Sequence, residues 1–224
     1  MIPLAGVPLI VRVYNSAKKS KRLEEVYVAT DSERIAETVQ SYGGRVLKTS
    51  ANHATGSDRI AEAIANLSAD IIVNIQGDEP LIPAEVIDKT VDLFDTPDIM
   101  MTSACAVIDN PADLENPNVV KVILDKNDCA IYFSRSRIPY QRQDVDTKVT
   151  YYRHIGIYGY RRNFLLKFAK MARSPLEIAE SLEQLRALEN GHKIKLARVK
   201  FDFIGIDTKD DVERAERMIA ERGE

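Results

Sequence analysis

The sequence predicts an α/β fold: a mostly parallel sheet flanked by helices, with a smaller lobe of mixed strands. Three observations carry this. Strand-like and helix-like runs alternate from the N-terminus to about residue 93; four strand-like runs then fall between residues 100 and 160 with no long helix between them; and 224 residues suffice for a sizeable α/β core with a small appended lobe. The expected division is residues 1–99 as an α/β part, 100–160 as the mixed-strand lobe, and 161–224 as helices and strands that complete the main domain.

Each element has its own signature. Residues 9–17 read as a helix after Pro8, 25–30 as a strand, 32–41 as a helix, and 45–48 as a strand entered through Gly43-Gly44. Residues 57–66 place Ile60, Ala61, Ile64 and Ala65 on one helical face. An apolar, β-branched run at 70–75 has the length of a strand covered on both faces, and an amphipathic helix follows at 83–94. The runs 100–108, 119–124, 129–133 and 149–160 make up the mixed lobe. Ser174-Pro175-Leu176-Glu177 combines a hydroxyl N-cap, proline at the first helical position and glutamate three residues after the cap. It predicts one helix ending near Asn190, with Gly191 in the left-handed position. Strands at 193–199 and 201–206 and a charged amphipathic helix at 209–220 follow.

Composition removes several function classes. Lys and Arg total 31 against 34 Asp and Glu, a net charge of -3, so no overall basic field would recruit nucleic acid or an anionic membrane. Cys105 and Cys129 are too far apart for a C-x-x-C motif and too few for a disulfide framework, which suits a reducing cytoplasm and two small buried hydrophobes. The sequence has no apolar run long enough to span a bilayer and no recognisable secretion signal, so it is expected to be neither membrane-spanning nor exported.

Candidate chemistry sits where strands end. Gln76-Gly77-Asp78-Glu79-Pro80 follows the 70–75 strand, and its glycine and proline force a turn that displays Asp78. In open α/β sheets ligands bind beyond the carboxyl ends of the strands, so Asp78 is a candidate ligand for a metal that carries phosphates. The same letters suit a turn tied to its own backbone, and the segment alone leaves both readings open. Asp207, in Gly205-Ile206-Asp207-Thr208, again lies between a strand and a helix; in isolation it reads as a helix cap, but two such carboxylates meeting in one crevice would suit Mg²⁺. The loop Thr55-Gly56-Ser57-Asp58-Arg59 leads into a helix whose unpaired N–H groups and guanidinium would welcome an anion, although a plain capped helix start explains the same letters and is the commoner outcome. Neither G-x-x-x-x-G-K-[ST] nor G-x-G-x-x-G is present.

Three further groups stand out. Ser134-Arg135-Ser136-Arg137 puts two guanidinium groups beyond a hydrophobic strand, suited to carboxylate or phosphate or simply to solvent. Tyr152, His154, Gly156, Tyr158 and Tyr160 share one face of the 149–160 strand, and their polar tips would line a sugar site or be hydrogen-bonded in place. Glu183 and Gln184 read by default as solvent-facing helix formers.

Taken together, these segments resemble the 3-deoxy-manno-octulosonate cytidylyltransferase (CMP-Kdo synthetase) family from residue 3 to near residue 218. The resemblance rests on Val28-Ala29-Thr30-Asp31, Gly56-Ser57-Asp58-Arg59, Gln76-Gly77-Asp78-Glu79-Pro80, Asn116-Pro117-Asn118-Val119-Val120-Lys121 and Tyr132-Phe133-Ser134-Arg135-Ser136. Arg153-His154-Ile155-Gly156-Ile157-Tyr158, Ser174-Pro175-Leu176-Glu177, Leu182-Glu183-Gln184-Leu185-Arg186 and Gly205-Ile206-Asp207-Thr208 complete it. The related sialic-acid cytidylyltransferases are expected to lack the Gln-Gly-Asp-Glu-Pro turn. The resemblance implies a three-layer Rossmann-like nucleotide-diphospho-sugar transferase fold and a cytoplasmic homodimer that joins CTP to Kdo for lipopolysaccharide synthesis. Residues 1–99 would hold the nucleotide, and the 100–160 lobe would supply the sugar site and the dimer contact. Asp78 and Asp207 would hold Mg²⁺ and, with Arg135, form the catalytic set; Gly56, Ser57 and Arg59 would line the nucleotide pocket; Gln76, His154, Tyr158, Glu183 and Gln184 would surround the sugar.

The sequence departs from the family in two places. The family opens with a strand and a loop rich in Arg, Ser and Gly and ending in Lys, which wraps the triphosphate, whereas this sequence opens at Met1-Ile2-Pro3-Leu4-Ala5-Gly6. The expectation is an N-terminally incomplete nucleotide part and poor activity of the chain as it stands. Ser57 replaces a usual Thr, and either hydroxyl can cap a helix. Two alternatives stay open: a cytidylyltransferase for a modified, for example amino-substituted, octulosonate, and a non-catalytic sugar or CMP-sugar binding protein.

Overall fold

A computed structural model of the chain describes residues 3–53, 55–142, 149–200 and 209–222. The chain divides into two compact units, Met1–Asp88 with Asp202–Glu224, and Lys89–Phe201.

In the first unit β1 (Pro3–Leu4) and β2 (Val7–Pro8) pair antiparallel, and α1 (Leu9–Ala17) follows directly. Then come β3 (Val28–Thr30), α2 (Glu33–Ser41) and β4 (Val46–Lys48), with β3 and β4 parallel, the right geometry for a βαβ step. Ser32 caps α2 by accepting from the Ile35 N–H at 3.4 Å. Gly43, at φ +73, ends it: the Gly43 and Gly44 N–H groups return to the carbonyls of Gln40 and Val39, the two bonds of a Schellman motif. Tyr14, Val28 and Val39 are buried together, with Ile10, Val26, Ile35 and Val46 packed around them; full burial of such side chains contributes about 1.5–3 kcal/mol each. α3 (Gly56–Ala63) and β5 (Ile71–Ile75) complete the alternating part, and α4 (Ala84–Asp92) carries the chain into the second unit. The last helix, labelled α9 (Lys209–Arg222) in chain order, is tied to the first turn by Glu216, which accepts from the Ala5 N–H at 2.8 Å.

The second unit holds a mixed sheet. Its strands are β6 (Met101–Val107), β7 (Lys121–Leu124), β8 (Ala130–Ser134), β9 (Tyr152–Arg161) and β10 (Ile194–Val199), in the spatial order β10-β6-β9-β7-β8. β10 runs parallel to β6, and the other pairs in this order are antiparallel. The four strand-like runs read between residues 100 and 160 are therefore all strands, and the mixed character expected for them holds. Met101, Ala104, Phe133, Ile155, Ile157 and Ile194 form part of the buried interior of this unit. Its helices are α5 (Ala112–Glu115), α6 (Arg162–Phe168), α7 (Pro175–Glu180) and α8 (Leu185–Glu189).

β1, β2 and α5 have no counterpart in the sequence reading, and two larger differences have a physical reason. α6 has no counterpart in the sequence reading; it starts immediately at the end of β9, so its apolar positions continue the strand's pattern without a break. The single helix expected from Ser174 to Asn190 is broken into α7 and α8 at Ser181, which takes the left-handed conformation at φ 52. The Arg135 guanidinium accounts for the break, because it claims the Glu180 carbonyl at 2.7 Å and the Ser181 carbonyl at 3.4 Å, both of which a continuous helix would need. The expected ending does occur: Gly191 sits at φ +78, and Gly191 and His192 donate to Leu188 and Ala187. The strand expected at 201–206 lies outside the described residues.

Candidate functional site

In the second unit β9 lays His154 and Tyr158 against β6. The β6–β9 register slips between Ser103 and Ala104: Ser103 faces Tyr158, while Ala104 faces Ile155. The slip gathers two β9 carbonyls and one β9 imidazole around a single hydroxyl. Ser103 Oγ lies 2.7 Å from the Ile157 carbonyl, 3.3 Å from the Ile155 carbonyl and 2.8 Å from His154 Nε2. The Phe133 ring meets the imidazole edge-on at 4.9 Å, and the Tyr158 ring lies tilted to it at 5.4 Å. Burial among these groups disfavours the imidazolium and pulls the His154 pKa down to about 3. The same effect pushes the Tyr158 phenol well above its ordinary value, so both side chains are neutral hydrogen-bonding groups at physiological pH.

Tyr158 donates its hydroxyl to Gln184 Oε1 at 3.1 Å. Gln184, read from sequence as solvent-facing, is buried, and the helix break at Ser181 explains why: it turns α8 into the unit. Its amide nitrogen is also buried and has no partner among the described residues. The segment carrying Gln184 is held by a buried ion pair. Arg186 donates from Nε and Nη2 to Glu177 at 2.8 and 2.6 Å, and the Arg186 plane stacks on Phe168 at 4.9 Å. Burial would raise the Glu177 pKa, but the Arg186 guanidinium and the Ser174 N–H outweigh it and hold the carboxyl below its usual range. Glu177 is thus the third-position residue of the capping box expected at Ser174 and half of this ion pair. Half-buried Glu183 reaches the same guanidinium at 3.5 Å.

Arg135 is engaged by backbone. Besides the Glu180 and Ser181 carbonyls it donates to Pro117 O at 3.0 Å, while its own N–H and the Ser134 hydroxyl donate to the Glu180 carboxylate at 2.9 and 2.6 Å. The Arg135 carbonyl is one of three that receive Lys121 Nζ, the others being Asn116 at 2.9 Å and Val119 at 2.7 Å. An ammonium has three protons, so this cage matches its capacity. Burial lowers the Lys121 pKa. The Asn116–Lys121 loop and the end of β8 are therefore knotted together behind the cluster. Arg137 is half-exposed, pairs with Glu115 at 3.1 Å and lies over the Tyr151 ring.

In the first unit Thr55, not Ser57, caps α3, accepting from the Asp58 N–H at 3.3 Å. The helix expected from Ser57 starts at Gly56 because the threonine hydroxyl is the one outside the first turn; Ser57 is buried inside it. A side chain at Gly56 would meet nothing within 4 Å, so the first turn of α3 is open. Arg59 reaches back to Asp31 at 2.7 Å and Thr49 Oγ1 at 2.8 Å, tying α3 to the segment after β3. Beyond β5 the turn closes with Glu79 N–H to Gln76 O at 3.2 Å and leaves Asp78 exposed, with Gln76 half-buried.

Of the residues singled out from sequence, His154, Tyr158 and Gln184 form one connected cluster, with Glu183 beside its support. Gly56, Ser57, Arg59, Gln76 and Asp78 belong to the first unit, and Asp207 lies outside the described residues. Ser103, Lys121, Glu177, Glu180 and Arg186 hold the cluster and its frame, and the sequence reading gave none of them such a part. Lys121, Glu177 and Arg186 do stand inside quoted segments; Ser103 and Glu180 carry no local signal, since their partners are 45 or more residues away.

Residues 1–194 match the family model described as cytidylyltransferase. The chain is 46% identical over 228 residues to the 3-deoxy-manno-octulosonate cytidylyltransferase of Thermodesulfovibrio yellowstonii, covering 96% of this chain and 89% of that protein. It is likewise 46% identical over 220 residues to the protein of the same name from Fusobacterium nucleatum, covering 97% and 89%. A solved structure of CMP:2-keto-3-deoxy-manno-octonic acid synthetase complexed with CTP superimposes with a TM-score of 0.92 at 36% identity, over 99% of this chain and 91% of that one.

Proposed function

This chain belongs to the 3-deoxy-manno-octulosonate cytidylyltransferase family, and on that premise we infer that it joins CTP to Kdo, giving CMP-Kdo and pyrophosphate for lipopolysaccharide synthesis. In the reaction the anomeric hydroxyl of Kdo attacks the α-phosphorus of CTP in line, the new O–P bond forms as the bond to the pyrophosphate oxygen breaks, and the hydroxyl proton is released. The observation that carries the sugar side is the cluster of neutral groups in the second unit: the His154 imidazole, the Tyr158 phenol and a Gln184 amide with an unpartnered, buried N–H. Such groups suit hydroxyls, because an unpaired buried donor is costly until a ligand oxygen accepts from it.

Arg59 and the open first turn of α3, with Gly56 and Ser57, are assigned to the nucleotide. Mg²⁺ is assigned to Asp78 and Asp207. The donor chemistry fits on the side that is described: an exposed carboxylate at a strand's carboxyl end suits an ion that keeps several waters and takes only one or two protein oxygens. When bound, Mg²⁺ would neutralise charge on the phosphates and lower the pKa of the attacking hydroxyl. Gln76, Glu183 and Arg135 are assigned to the rim of the sugar site, with Arg135 shaping it through the carbonyls it holds.

We take the enzyme to be a cytoplasmic homodimer. β8 ends the β10-β6-β9-β7-β8 order, bridged to β10 only just before it at Cys129–Lys195, and Ile131 on it is 59% exposed, a surface that a second copy would cover. No described helix is long and apolar enough to cross a membrane. Light scattering at micromolar concentration reads the dimer, and a monomer would refute it.

The deciding experiment measures pyrophosphate release and CMP-sugar formation with CTP, Mg²⁺ and Kdo or its amino-substituted analogue. Where the enzyme turns over, CMP-Kdo and pyrophosphate are expected in equal amounts. Turnover confined to the amino sugar would move the substrate, and tight CMP-Kdo binding without turnover would make the protein a binder.

A further inference from the structure

We propose that Ser103 is a positioning residue that holds His154 as the tautomer with its proton on Nε2, so that Nδ1 is presented to a sugar hydroxyl as an acceptor. The proposal rests on the assignment of His154 to the sugar, but its central statement concerns the protein alone.

Ser103 is fully buried in β6 and has a single hydroxyl proton. Of its three oxygen and nitrogen neighbours, the Ile157 and Ile155 carbonyls can only accept, and the Ile157 carbonyl is the closest at 2.7 Å. Were the proton turned toward His154 Nε2, the hydroxyl oxygen would face a carbonyl oxygen at that distance with no hydrogen between them, in an interior where unpaired polar groups cost about 1–3 kcal/mol. The proton therefore goes to Ile157, and the 2.8 Å contact to His154 must be filled by a proton on Nε2. A neutral imidazole with its proton on Nε2 has its lone pair on Nδ1, and no protein group among the described residues takes that atom. Burial keeps the ring uncharged, as its low pKa indicates.

The register slip makes this possible. Without it Ser103 would meet one β9 residue and the next would pair with Ala104 in step; with it, Gly156 and Ile157 lie between the residues paired to Ala104 and Ser103. The irregularity is thus a device that points a hydroxyl at one carbonyl and an imidazole nitrogen together.

The test uses full-length protein labelled with ¹⁵N at histidine. Ring nitrogen shifts of the ligand-free protein should show a protonated Nε2 and an unprotonated Nδ1 on His154 at neutral pH. Ser103→Ala should give a mixed or reversed tautomer and raise the KM for Kdo by roughly 3- to 10-fold, the loss of about one neutral hydrogen bond, with the KM for CTP unchanged. Ser103→Thr, which keeps the hydroxyl, should restore both readouts. A wild-type spectrum with the proton on Nδ1, or a Ser103→Ala protein with unchanged tautomer and KM, would overturn the proposal. If Ser103→Ala does not fold, the wild-type spectrum still decides. Failure of the wild type to bind Kdo would instead sink the assignment of His154 to the sugar and leave the tautomer result standing.

Discussion

Gln184 accepts the Tyr158 hydroxyl proton at 3.1 Å, and this bond turns its own amide nitrogen toward a place where no described group receives it. At 2% exposure the residue has almost no water to compensate. A buried donor without an acceptor costs about 1–3 kcal/mol, which a ligand oxygen would relieve on binding. The pair therefore stores binding free energy in the unliganded protein.

Replacing Gln184 by Met should change stability by no more than about 1 kcal/mol, since it removes one unpaired donor but leaves the Tyr158 hydroxyl without its acceptor. Kdo binding should weaken by about 10- to 100-fold. Calorimetric binding and thermal unfolding read the two effects. A large loss of stability with intact sugar binding would show that Gln184 is merely a core residue.

Arg186 and Glu177 are 2% and 3% exposed, and without Arg186 the buried Glu177 carboxylate keeps a single cationic partner, the exposed Arg173 at 3.3 Å. Arg186→Met should cost about 3–5 kcal/mol in urea unfolding, and adding Glu177→Gln should recover part of it. Additive losses in the double variant would mean that the two side chains act independently.

The low pKa of His154 makes a pH prediction with a definite sign. In the unfolded chain its imidazole titrates near 6.5, in the native protein near 3, so between these values the unfolded chain binds a proton that the native protein does not. Stability is full above about pH 6.5, falls as pH drops, and levels off near pH 3. His192, also lowered chiefly by burial, adds in the same direction, so the informative quantity is the difference between wild type and His154→Gln. The urea midpoint should fall less for the variant from about pH 7 to about pH 4.5. A native His154 ring that titrates by NMR between pH 5 and 7 would contradict the burial account.

Asp78 is exposed in its turn, and Asp78→Asn removes its charge with little change in volume. If it holds Mg²⁺, turnover should fall by about 100-fold or more and the Mg²⁺ concentration for half-maximal rate should rise, while EDTA abolishes the wild-type reaction. Full activity in the variant would remove Asp78 from the metal site.

Much of the fold was legible because its signals are short-range. Residues 9–17 formed the expected helix, Glu177 accepts from the Ser174 N–H as the capping-box spacing predicts, and Gly191 takes the left-handed position expected after its helix. Each depends on atoms within a few residues. The split of α7 from α8 was not legible, since its cause is a guanidinium more than 40 residues upstream that takes the helix's carbonyls.

The sequence by itself determined the family, the strand-end position of Asp78 and the shared face of His154 and Tyr158, because motif order and the two-residue period of a strand need no knowledge of the rest of the chain. Only the tertiary structure decided what those residues meet. Gln184 became a buried partner of Tyr158 when the helix before it broke, and Arg135 became a clasp on carbonyls. Ser103 acquired its three neighbours from a slip in strand register, a property of two strands 51 residues apart that neither strand carries alone. Hydrogen bonds are directional over about 3 Å, so their partners are set by packing, while helix caps and strand alternation are set by the chain next door.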